Sequence, residues 1–134
     1  MRVVLDSNIF IAAVAARGLC EAIVELCLER HSLISCKEIL AEVEEKLVSK
    51  LKVPTRVVAE YMKFLRQNVE LVRPGKVEFG ICRDPNDLMV LGLVSPGKVQ
   101  AIVTGDKDLL VLGAFEGAPI MTPRSFWEFN QSEP

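Results

Sequence analysis

Residues 1–16 read MRVVLDSNIFIAAVAA, and the way they are parsed decides the fold. Val3, Val4 and Leu5 predict a short buried strand, Asp6-Ser7-Asn8 a polar turn, and the run from Ile9 an apolar helix. A carboxylate thus sits where a strand hands over to a helix, which is where open α/β sheets place their ligands. A charge directly after an all-apolar strand is costly to desolvate unless a metal ion or a cationic substrate group compensates it. On this stretch alone a plainer alternative stands beside it: Ser7 or Asn8 caps the helix, and Asp6 adds favourable charge near its N-terminus.

The same design recurs near the other end of the chain. Val99 to Val103 predict a strand that ends in Thr104-Gly105-Asp106-Lys107-Asp108 and a short helix. Two such turns in one small domain are hard to explain by capping alone. Between them, Gly18 separates the first helix from a second, Leu19 to about Arg30, and His31 to Ile34 predict another strand. Ser35 and Glu38 have the form of a capping box opening a third helix that runs to about Lys50. Its apolar stripe is Ile39, Leu40, Val43 and Leu47, and Glu42 lies nearer the edge of that stripe than Glu38 or Glu45. Glu42 either points along the core boundary or is solvated and pairs with Lys46 one turn on.

Pro54 opens a fourth helix to about Gln67 with a core face of Val57, Val58, Tyr61, Met62 and Leu65. Lys50, Lys52, Arg56, Lys63 and Arg66 make this helix pair the most basic part of the chain, a solvated surface or a phosphate-contacting rim. Val69 to Val72 are a further strand candidate. Asp84 before Pro85 is an N-cap signature that puts Asp87 in a first helical turn. Ser95-Pro96-Gly97-Lys98 reads as a turn, Pro119 to Met121 as a last strand, and Thr122-Pro123 as the start of a final helix whose Phe126, Trp127 and Phe129 form a packing lid.

The chain has 134 residues, half of them hydrophobic, and a net charge of −2. These values predict one layered α/β domain over residues 1–130 with a frayed tail at 131–134, and no global attraction to nucleic acid or anionic membrane. No apolar run reaches the length of a membrane span, and Asp6 and Asn8 interrupt what would be the apolar core of a signal peptide. Cys20, Cys27, Cys36 and Cys82 lack CxxC spacing and are expected as buried reduced thiols of a cytoplasmic protein. A serine or cysteine hydrolase is poorly supported, because the one histidine, His31, lies near no nucleophile motif.

Together the blocks VVLDSNIFIAA, SCKEILAEVEEKL, CRDPNDLMVL, IVTGDKDLL and PIMTPRSFWEF resemble, in order and spacing, a PIN domain. Within that superfamily the likeness is to the toxin components of toxin–antitoxin systems. The resemblance implies a three-layer α/β/α fold around a central, mostly parallel sheet of four or five short strands. It implies a metal-dependent ribonuclease whose acidic quartet falls on Asp6, Glu42, Asp87 and Asp106, with Asn8, Thr104 and Asp108 as supporting positions. It also implies an RNA substrate, an antitoxin protein as partner, and a homodimer.

The chemistry fits this set. Clustered carboxylates repel one another unless divalent cations neutralise them, and oxygen-only ligands favour Mg²⁺ or Mn²⁺ over zinc. Asp6 and Asp106 are assigned as direct ligands, Glu42 and Asp87 as direct or water-mediated ones, and Asn8 and Thr104 as orienting groups. A PIN-fold RNA-binding or assembly module without turnover is the competing reading. A phosphatase of the haloacid-dehalogenase kind is disfavoured by Asp6-Ser7-Asn8 in place of Asp-x-Asp. The third block carries less acid than the family's RDPDDD, which lowers local charge. Gly92 and Ser95-Pro96-Gly97 are expected to shorten the helix and leave the cleft rim more open or more mobile.

Overall fold

Val4, Ile34 and Ile102 belong to one apolar cluster, and Val3, Leu5, Leu33, Ala101 and Val103 to another. That alternation is the pattern of a sheet buried on both faces. The computed structural model describes residues 1–78, 80–82 and 84–132. Arg83 of the CRDPND block and Glu133 and Pro134 of the expected tail lie outside the described residues. Six strands, β1 (Arg2–Leu5), β2 (Ser32–Ser35), β3 (Glu70–Leu71), β4 (Ala101–Val103), β5 (Ala114–Phe115) and β6 (Ala118–Met121), form a sheet in the order β3-β2-β1-β4-β6-β5. All pairings are parallel except that of β5 with β6.

The helices are α1 (Ser7–Ala15), α2 (Leu19–Arg30), α3 (Lys37–Ser49), α4 (Thr55–Asn68), α5 (Pro85–Gly92), α6 (Val94–Gly97), α7 (Lys107–Leu110) and α8 (Pro123–Ser132). Ile9, Phe10, Ile23, Leu40, Val58 and Phe126 cover one face of the sheet; Val90, Leu91, Val94 and Leu109 cover the other. This is the expected α/β class, a mostly parallel sheet between helical layers. From β1 the chain builds outward to β2 and β3, then returns to place β4 on the other side of β1. The carboxyl ends of β1 and β4 therefore flank the switch point of the topology, where a ligand crevice opens.

Several local expectations are corrected. The sheet has six strands rather than four or five, because β3 and β5, of two residues each, also pair. Ser35 does not open a capping box: it ends β2, paired with Leu71, and the N-cap of α3 is Cys36, without a side-chain cap. Strand pairing has overridden the local capping signal. The fourth strand starts at Ala101 rather than Val99, since Lys98 takes a left-handed φ of 50° and the Val99 amide closes back on the Val94 carbonyl. Ser95-Pro96-Gly97 lies in the short helix α6. Val57, expected in the core, is 46% exposed. Of the expected tail, Gln131 and Ser132 belong to α8.

The amino ends of the strands are tied by polar side chains. Arg2 donates from Nε to the Gly97 carbonyl at 2.7 Å and pairs with Glu70 at 2.8 Å. His31 lies between the Met1 amine, 3.0 Å from Nδ1, and Asn130 Oδ1, 2.7 Å from Nε2, with its ring against Phe126. These contacts leave the opposite, carboxyl end of the sheet free for chemistry. Among the described residues no helix is long and apolar enough to cross a membrane, and the four cysteines are free thiols.

Candidate active site

Asp6 follows β1 at the switch point, and the β1–β4 register, Leu5 opposite Val103, sets it beside Thr104. The Asp6 amide donates to the Val103 carbonyl at 3.0 Å, so the backbone at this corner is fixed by the sheet itself. Asp6 holds the N-cap position of α1, yet its carboxylate makes no cap hydrogen bond. It accepts instead from the Thr104 hydroxyl, 2.7 Å from Oδ2, and from the Ser7 hydroxyl, 3.4 Å from Oδ1. Ser7 and Asn8, the alternative caps, lie inside α1 and do not hold the N-cap position.

Thr104 is fully buried and links the two strand ends. Its Oγ1 donates to Asp6 and accepts from the Asp106 amide at 3.0 Å. Asp106 caps α7 through the Asp108 amide, 2.8 Å from its Oδ1. Asp87 arrives from the first turn of α5, whose start is fixed by Asp84 accepting from the Asn86 amide at 2.9 Å. The result is a cluster in which Asp6, Asp87 and Asp106 each offer a carboxylate oxygen within 4.8 Å of the others.

Such proximity is unfavourable for three anions. Burial pushes the Asp87 carboxyl up to about 7, with the neighbouring Asp106, Asp6 and Asp84 carboxylates adding to the shift. Burial also raises Asp6, opposed by its Thr104 hydrogen bond. Among the described residues, Asp87 Oδ2 is buried without a hydrogen-bond partner. A buried acceptor with no donor is rare and costly, and a hard cation is a group that would satisfy it. The donor set, oxygen only, fits a divalent cation of the Mg²⁺ or Mn²⁺ kind.

Glu42 stands apart from that 4.8 Å set. It is half-buried on α3, its carboxyl raised by burial and by the Asp6 and Asp84 charges and lowered by a hydrogen bond from Ser7 and by Lys46. Asp108 is half-buried beside Asp106. Asn8 is exposed in the first turn of α1, and among the described residues its side chain makes no hydrogen bond.

Ser7 is the residue that sequence reasoning passed over. It is 2% exposed, donates to Asp6 Oδ1 and lies beside Glu42. The available signal was helical spacing: Ser7 precedes the buried Phe10 by three residues and shares its inward stripe, whereas Asn8 is rotated outward. Cys82, whose thiol is raised by burial and by the Asp87, Asp108, Asp106 and Asp84 charges, also borders the cluster.

No curated protein matches the chain. Among solved structures the chain is similar to the crystal structure of VapBC2 from Rickettsia felis bound to a DNA fragment from their promoter, with a TM-score of 0.61 at 15% identity over 91% of this chain and 98% of that one. That likeness extends to the fold. The sequence matches the PIN domain family over residues 2–108, from β1 through Asp106 and into α7, and the chain belongs to the PIN domain family.

Proposed function

We propose that the protein is a Mg²⁺- or Mn²⁺-dependent endoribonuclease that hydrolyses RNA phosphodiester bonds, and the toxin half of a toxin–antitoxin pair. The observation that carries this reading is the trio Asp6, Asp87 and Asp106, convergent within 4.8 Å and including a buried Asp87 oxygen without a partner among the described residues. Asp6, Asp87 and Asp106 would hold the cation. When bound, it supplies charge neutralisation and Lewis acidity toward a phosphodiester.

The chain's own groups do the rest. Thr104 orients Asp6 by donating to Oδ2 and leaves Oδ1 turned toward Ser7. The Asp108 amide holds one Asp106 oxygen and so fixes the carboxylate's orientation. Glu42, set back beside Ser7, is the carboxylate available for a water-mediated contact or a second ion near the leaving oxygen. Cytoplasmic location, an antitoxin that blocks the cleft and a homodimeric state belong to the same reading, supported by the family resemblance.

The test is cleavage of a mixed structured and single-stranded RNA pool with EDTA, Mg²⁺ or Mn²⁺, beside Asp6→Asn. Metal-dependent cutting that the variant loses is expected. No cutting by folded, metal-binding protein overturns the nuclease reading and leaves a non-cleaving RNA-binding module.

A further inference from the structure

Beside the acidic cluster, two adjoining hollows of about 250 and 510 Å³ share Lys37, Glu38 and Arg73 in their walls, and the larger adds Lys76, Leu88 and Met89. They form one groove between the start of α3, the segment after β3, and α5. In a chain of net charge −2, this groove presents three cationic side chains against one carboxylate. Lys37, Arg73 and Lys76 are all exposed, and among the described residues none has a carboxylate partner within 4.0 Å. Lys37 is the first residue of the 13-residue α3, so the positive end of that helix reinforces the same wall.

The groove is built on the same two helices, α3 and α5, that carry Glu42 and Asp87. Glu38 lines it, and Glu42, one turn further along α3 and about 5–6 Å away, turns to Ser7 and Asp6. On the opposite wall Asp87 joins the cluster while Leu88 and Met89, the next two residues, line the groove.

Its loop is fixed rather than loose. The Val72 amide donates to the Ser35 carbonyl at 2.9 Å and the Gly75 amide to the Gly92 carbonyl at 2.8 Å, which holds Arg73 and Lys76 against α5. The described lining carries no aromatic ring for base stacking. Such a surface contacts a phosphate backbone without reading its bases.

We propose that this groove leads the backbone of a single-stranded RNA away from the acidic cluster, with Lys37, Arg73 and Lys76 as positioning residues on its phosphates. The proposal takes its substrate from the ribonuclease reading. Its test compares K37A/R73A/K76A with a control of equal charge change, K50A/K52A/R56A, in which the removed side chains follow α3 or begin α4.

Binding is read by anisotropy of a labelled single-stranded RNA of about 12 nucleotides, its integrity checked on a gel, across a salt series. Cleavage is read as KM and kcat. At about 0.7 per phosphate contact, the groove variant is expected to lower the slope of log affinity against log salt by about 2. KM should rise at least tenfold with kcat within twofold, and the control should leave all three near wild type.

Equal effects from both variants, or no effect from the groove variant, overturn the proposal; the latter is also the result if the groove takes an acidic polypeptide. A wild type that cuts RNA while the groove variant keeps its slope and KM leaves the nuclease reading intact. A wild type that binds through the groove without cutting does the reverse.

Discussion

The molecule contains the strand–carboxylate–helix turn twice, and the two copies are used differently. At β4–α7 the carboxylate of Asp106 caps the helix, half-buried and accepting from the Asp108 amide. At β1–α1 the carboxylate of Asp6 also stands at the N-cap position but caps nothing, and only 6% of the residue is exposed. Both carboxylates face the other acids of the cluster, but one oxygen of Asp106 also has a local duty as a cap. Asp6, held by two hydroxyls, has no such duty. The comparison teaches that a repeated local motif has to be judged by where its side-chain oxygens go.

The sharpest way to break the comparison is to remove one charge at each turn. Asp6→Asn keeps an acceptor for Thr104 but removes a buried anion. RNA cleavage is expected to fall by more than about 100-fold, beyond the loss usual for groups that only orient a ligand, while the metal-free melting temperature at pH 8 does not fall. A variant that cuts at the wild-type rate would remove Asp6 from the site. At the other turn, Asp106→Ala is expected to lose about 1 kcal/mol of stability with its cap as well as activity. Asp106→Ser should recover the stability and not the activity, so that denaturant melts and cleavage rates separate the two duties. Recovery of both would reduce Asp106 to a cap.

Titration sharpens the comparison further. The Asp87 carboxyl is raised from 3.8 to about 7, so the folded state holds its proton more tightly than the unfolded chain does. The Asp87 contribution to the stability of the metal-free protein should be full below the lower value and be lost as pH rises through the higher one. A bound cation takes the proton's place, so Mn²⁺ should raise the melting temperature more at pH 8 than at pH 5. Equal increments at the two pH values would mean that the ion binds elsewhere.

Gly92 gives the next effect. A Cβ there would lie 2.6 Å from the Gly75 carbonyl oxygen and 3.1 Å from Pro74 Cβ. Gly92→Ala should cost about 1–3 kcal/mol, the range for overpacking, and raise KM for RNA by displacing the basic loop; unchanged stability and KM would show that the loop accommodates the methyl. The smallest effect is expected at the first helical turn, where Asn8→Ala should change cleavage by less than about twofold, as for an exposed residue. Ser7→Ala should lower it several-fold. The reverse order would restore Asn8 as the orienting residue.

Much of this was legible in the sequence because it rests on local rules. An apolar run followed by Asp gave β1 and Asp6, Asp84-Pro85 gave the start of α5 and the position of Asp87, and IVTGDKDLL gave β4 and Asp106. What escaped depends on partners distant in the chain or on uncommon turn residues. Ser35 satisfies a capping rule but is claimed by β3. The β5–β6 hairpin turns on Glu116-Gly117, with φ of 48° and 87°, a shape usually announced by Asn-Gly. Gly92 ends α5, in line with the expected shortening, and admits Gly75, a contact 17 residues back that helix propensity does not encode. The basic helix pair stood out by composition, yet Lys50 and Lys52 lie past the far end of α3 and Arg66 is engaged with Glu44 at 3.4 Å. The cations that line the groove at the site, Lys37, Arg73 and Lys76, are spread over two segments and form no cluster in the sequence.

The brevity of the two outermost strands has a consequence for association. β3 and β5 contribute two residues each, and they bound the sheet on its two sides. A long unpaired outer strand is a template on which another chain can add backbone hydrogen bonds and aggregate, whereas a two-residue one offers almost no ladder to extend. The sheet is thereby blunted against fibre-like growth in both directions. Any second copy or protein partner has to be met by side chains on the helical layers, where Val14, Val57 and Phe64 supply exposed apolar area.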